Sequence, residues 1–153
     1  MLKALSEFFD QTFGNDAAED ESAREHELKL ATAVLLVEVA RADFAEDAIE
    51  DEAIIALLER HLELSSREAR HLVDEAKKRA DHSASLQSFT RLLHEEVDLA
   101  EKHRIVEMLW RVALADQELD KHEDHLIRKV AGLLYISHSD LIRIRNEVTK
   151  SSG

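Results

Sequence analysis

The chain of 153 residues is 35% charged, 44% apolar and 5% aromatic, with three glycines, no proline and no cysteine. That is the size of one ordinary domain, but without the turn chemistry of an all-β sandwich or barrel, the clustered glycines of a phosphate loop, or any disulfide, thiolate or cysteine-based zinc site. A net charge of −13, from 20 basic and 33 acidic residues, repels phosphate backbones, excludes nucleic acid as a partner and favours cations or basic proteins.

Met1 to Phe13 carries Leu2, Leu5, Phe8, Phe9 and Phe13 at helical spacing, which predicts a short apolar N-terminal helix over residues 1–14 that docks on the domain or on another protein. Residues 15–27 are rich in acids and hold almost nothing larger than alanine to bury, so they read as a solvated acidic linker. Residues 28–150 then form the domain. Leu28 to Ala42 is apolar on nearly every face, which marks a buried central helix. Ile49 to His61 repeats apolar residues at helical spacing. Ser65 and Glu68 have the spacing of a capping box that opens a helix to about Ala80. Leu86, Phe89, Leu92 and Leu93 place another. Asp98 with Glu101, Asp120 with Glu123 and Ser137 with Asp140 start the last three, making seven helices after the linker. The longest apolar run, Ala33 to Val37, is far short of the roughly 20 residues a membrane span requires. No leader peptide is evident, so the cytoplasm is the expected location.

Sliding the chain on itself by 73 residues lays Val39–Asp43 on Val112–Asp116, Asp47 on Asp120, Glu50 on Glu123, Asp51 on Asp124 and Ile54 on Ile127. With one residue removed, Leu64-Ser65 falls on Ile136-Ser137 and Glu68 on Asp140. The halves, about 28–80 and 98–149, are therefore expected to be two helical units packed face to face, joined by a connecting helix over Ala84 to Glu96.

The repeat keeps its acids at two turns: Asp43, Asp47 and Glu50, then Asp116, Asp120 and Glu123. Asp47 with Glu50 and Asp120 with Glu123 also have the N-cap to N3 spacing, so these four serve equally well as helix caps. Asp43 and Asp116 fall at the C-terminal ends of predicted helices, where the helix dipole opposes an anion and orphan carbonyls gather. Carboxylates plus carbonyl oxygens suit a hard divalent cation, Ca²⁺, Mg²⁺ or Mn²⁺. An EF-hand is excluded, because its twelfth position is Ile54 or Ile127 and its sixth Ala48 or Lys121. His122 and His125 beside Glu118 and Asp120 offer zinc as the alternative, against exposed histidines as the plainer reading. Trp110 and Met108 read as core, and Arg111, aligned with Glu38, either as the partner of an ion pair between the halves or, equally, as one of a solvated surface pair. No serine sits in a nucleophile elbow, and no reaction is indicated, so the chain reads as a non-enzyme.

LLVEVARAD at Leu35–Asp43, LWRVALADQELDKHED at Leu109–Asp124 and the closing LLYISHSDLIRIR together resemble the TerB-like family, named for a bacterial tellurite-resistance protein, over roughly Glu25–Val148. The resemblance implies an all-α helical bundle and a bacterial cytoplasmic module of stress-response systems, with a divalent-metal site made by the six acids above. It also implies kinship with DnaJ-type co-chaperones, and hence a metal-free interaction module as the alternative. Where the family has Ala-Asp-Gly, this chain has Phe44 and Gln117 after the two aspartates, and Glu46 stands where the second half keeps Leu119.

Overall fold

A computed structural model describes residues 16–42, 48–81, 86–115 and 119–152. Met1–Gly14, the predicted apolar arm, lies outside the described residues. Seven helices follow in order: α1 (Asp16–Arg41), α2 (Ala48–His61), α3 (Ser66–Asp81), α4 (Leu86–Glu96), α5 (Leu99–Ala113), α6 (Lys121–Leu133) and α7 (His138–Ser152). No strand occurs among the described residues. The expected all-α bundle of about seven helices is the architecture found. No helix among them is long and apolar enough to cross a membrane.

Two helices act as hubs. Leu30 to Val37 is buried without interruption, so this stretch of α1 is covered on every side, and the helix packs against α2, α3, α4, α5 and α6. Thr32, the polar residue in that run, donates its hydroxyl to the Leu28 carbonyl at 3.0 Å, so its burial leaves no donor unmet. The repeat-equivalent helix α5 buries Ile105, Val106, Met108, Leu109, Trp110, Val112 and Ala113 and packs on α1, α2, α6 and α7. The hubs meet each other, and α4 bridges the halves by packing on α1 and α6.

The repeat extends to element boundaries. Helices α2 and α6 begin at Ala48 and Lys121, the same 73-residue offset, and α3 and α7 begin at Ser66 and His138, the offset shortened by one. Backbone geometry repeats too. Among the described residues, the non-glycine positions with positive φ are Glu63 at 54° and Tyr135 at 60°, which are equivalent in the two halves. Tyr135 closes α6 in a Schellman motif, Ile136 N–H donating to Ala131 O at 2.8 Å and Tyr135 N–H to Gly132 O at 3.1 Å. Each following helix is capped by serine. Ser65 Oγ accepts from Glu68 N–H at 3.1 Å while Glu68 Oε1 accepts from Ser65 N–H at 2.9 Å, and Ser137 Oγ accepts from Asp140 N–H at 3.1 Å. A side chain in the left-handed region is strained, and glycine is not. Glu63→Gly should therefore stabilise the protein by about 0.5–1 kcal/mol in urea unfolding. Tyr135 is the poorer test, because its ring stacks on His94 with centroids 4.4 Å apart.

Two expectations are corrected. Residues 16–27, read as a linker, are the first half of α1. Asp20–His26 is exposed as expected of a segment with little to bury, but it is helical, because extending an existing helix is cheap and acids suit its N-terminus. Arg24 pairs with Glu96, His26 with Glu75 at 3.0 Å and Glu27 with Arg79 at 3.6 Å, tying the segment to α4 and α3. The second correction is the Glu38–Arg111 pair. Arg111 instead donates to Glu107 Oε2 at 3.0 Å, one turn back, and to Ser151 Oγ at 3.3 Å.

Glu38 is half-buried in α1 and its carboxyl is raised from the ordinary 4.5, chiefly by desolvation, with Arg41 opposing and Asp81 adding to the rise. A raised carboxyl means the native state holds the proton more tightly. Stability is then lost as pH climbs from the ordinary value through the raised one, and the penalty is complete above it. Glu38→Gln should be more stable than wild type at pH 7, with the advantage fading by about pH 4, as measured by urea unfolding at both values.

Candidate metal centre

Of the six carboxylates expected at the acidic turns, Asp43, Asp47 and Asp116 lie outside the described residues. Glu50 belongs to the first turn of α2, and its side chain also lies outside the description. The structure therefore describes the side chains of Asp120 and Glu123, on the entry to α6.

Asp120 is the N-cap of α6, with φ −74° and ψ 142°. Its Oδ2 accepts from His122 N–H at 2.8 Å and lies 3.2 Å from His122 Nδ1. The backbone donation from His122 is the main reason this carboxyl is held below its ordinary 3.8. The capping reading of Asp120 is thus a fact of the fold. One turn on, Glu123 is 1% exposed, the most deeply buried acid among the described residues. Removing a carboxylate from water costs several kcal/mol unless positive charge or hydrogen-bond donors meet it. Its neighbour Asp124 accepts from Arg128 Nε at 2.9 Å through Oδ2, while Oδ1 is shielded from solvent and has no hydrogen-bond partner among the described residues.

The first half pairs two of its carboxylates with cations of its own. Asp51, equivalent to Asp124, receives Lys77 Nζ from α3 at 2.7 Å, and Arg41, at the end of α1, pairs with Asp81 at 2.6 Å. Thr149 replaces Lys77 in the second half and donates to the Arg145 carbonyl at 2.9 Å, so Asp124 relies on an arginine of its own helix.

The zinc alternative gains nothing here. His122 is half-exposed against Asp120, His125 is exposed, and Glu118 lies outside the described residues. Among the described residues no group of three or more His, Asp or Glu side chains is placed to hold a metal ion. Trp110 and Met108 are core, both fully buried, as expected. Asp124 was visible in the repeat as the counterpart of Asp51. The burial of Glu123 was not, because it is set by neighbouring helices rather than by spacing.

Neither the curated proteins nor the solved structures compared with this chain gave a match. A family model described as tellurite resistance protein TerB matches residues 29–146, from the buried half of α1 into α7. That span is more than half of the chain and includes both acidic turns and every repeated element, so the protein belongs to the TerB family.

Proposed function

We propose that this TerB-family chain is a non-enzymatic helical module that binds a divalent cation at its acidic turns, within a bacterial, cytoplasmic stress response of the tellurite-resistance kind. The observation that carries the reading is the burial of Glu123, in an acidic turn that already holds Asp120 and Asp124. Asp116, Asp120 and Glu123 would hold the ion in the second half, and Asp43, Asp47 and Glu50 their counterpart in the first. An all-oxygen donor set favours Ca²⁺, Mg²⁺ or Mn²⁺ over Zn²⁺. When bound, the ion supplies positive charge beside these carboxylates. Asp120 keeps its own task, ordering the first turn of α6 so that Glu123 faces inward.

The test is thermal melting in chelator and then with each divalent ion, for wild type, Asp116→Ala and Glu123→Gln, at constant ionic strength because any salt screens so acidic a chain. An ion at about 100 times its Kd should raise the wild-type Tm saturably by about 5–10 °C. Both variants should lose most of that rise. Equal responses in all three proteins would reject the metal reading and leave the metal-free interaction module.

A further inference from the structure

An open cavity of about 310 Å³ lies between the first half of α1, the turn from α2 to α3, and the junction of α4 with α5. It is walled by Leu28, Leu62, Leu93, Val97 and Ile105. It stands near the N-terminal end of α5, whereas the acidic turn follows that helix's C-terminal end, roughly 20 Å away along the axis. Volume and lining are those of a site for a small, largely apolar ligand, at the low end of the usual range of about 300–1,000 Å³.

We propose that this cavity binds a small aliphatic amine, its chain on the leucine, valine and isoleucine walls and its ammonium against the carboxylates of Glu25 and Glu63. Those two carboxylates border the cavity and make no ion pair or hydrogen bond with described residues, although the surface is rich in arginine and lysine. Glu63 is held at the rim by a left-handed backbone, so its placement is fixed by the turn. Glu101 also lines the cavity, and Arg104 pairs with it at 3.2 Å. Lys29 lines the cavity as well, so the rim carries one lysine against the carboxylates of Glu25, Glu63 and the Arg104-paired Glu101.

His61 completes the polar part. Its Nε2 is shielded from solvent and has no hydrogen-bond partner among the described residues. Burial holds this imidazole below its ordinary 6.5, against the pull of Glu107 and with the help of Arg60, Arg111 and Arg104. It therefore presents an uncharged ring to the cavity at neutral pH. An uncharged imidazole does not repel an ammonium group. A carboxylate ligand would meet unpaired acids at the rim and gain no cation from this histidine.

Hexylamine, hexanoate and 1-hexanol serve as probes, titrated at pH 7.5 into the ¹⁵N-labelled full chain with amide shifts followed by NMR. Hexylamine should give saturable shifts centred on Leu62, Val97 and Ile105 with a Kd on the order of millimolar, as expected for so few heavy atoms. Hexanoate should give none at the same concentration, and 1-hexanol weaker ones. The double variant Glu25→Gln/Glu63→Gln, at exposed positions, should weaken hexylamine by about fivefold. Val97→Phe, which fills the cavity, should remove the response. The proposal is overturned if hexanoate matches hexylamine, if the double variant leaves the Kd unchanged, or if the shifts map elsewhere. Should Val97→Phe fail to fold, the double variant decides alone.

Discussion

Trp110→Ala should lower stability by about 3–5 kcal/mol, and Tm by roughly 10–15 °C, when unfolding is followed by circular dichroism. Trp110 is fully buried in α5, at the place where the equivalent position of α1 holds Val37, so the second half is built around a larger side chain than the first. Truncation removes both the transfer free energy of the indole and its contacts, and the surrounding helices relax only partly into the space. Two polar contacts go as well. The indole N–H donates to the Leu141 carbonyl on α7 at 3.3 Å, and the Arg145 guanidinium lies 5.9 Å from the ring centroid. Trp110→Phe separates these contributions, because it keeps most of the volume and loses the N–H. It should cost about 1–2 kcal/mol, and a loss as large as that of alanine would mean that the polar contacts dominate. This is the chain's single tryptophan, so its emission in the native protein should be that of an indole out of water and should shift to the red in the same transition seen by circular dichroism.

Ile54→Ala and Ile127→Ala should each cost about 2–5 kcal/mol and should agree with one another within about 1 kcal/mol. These isoleucines are repeat partners, one on α2 and one on α6, and both are fully buried. Each belongs to the core of its own half, so the two sites test whether the halves are alike in energy as well as in outline. A domain of this kind has about 5–15 kcal/mol in all, and two such losses combined should leave the double variant largely unfolded. Urea unfolding of the single variants with an unchanged m-value reports the comparison. If one substitution is nearly silent while the other unfolds the protein, the repeat is a likeness of sequence and outline without a shared core.

Local chemistry made much of this architecture legible. Helix starts were marked by side chains that satisfy orphan N–H groups within three residues, as Ser65 and Glu68 do for one another and Asp98 does for Glu101. The repeat was legible because the same burial pattern recurs at a fixed offset. What stayed hidden depends on neighbours distant in the chain. Residues 16–27 have no apolar stripe to announce a helix, and the contacts of Arg24, His26 and Glu27 with α4 and α3 arise only after the bundle has formed. Alignment of Glu38 with Arg111 suggested an ion pair, yet Glu107 lies one helical turn from Arg111 and takes it. The candidate metal site was visible as a duplicated pattern of acids, but spacing alone did not separate Asp120, which caps a helix in water, from Glu123, which is buried. The cavity beside His61 draws its walls from four helices and a turn, and no single stretch of sequence carries its signature.

The direct contact between α1 and α5 has a thermodynamic consequence. Each hub presents to the other a surface that neither set of flanking helices covers, so neither duplicated unit owns a complete interior. A fragment ending before α5 would leave one side of α1 wet and adhesive. Its cheapest remedy would be a second copy of itself, and the intact chain supplies that counterpart in cis, which joins the two units into one cooperative melting event.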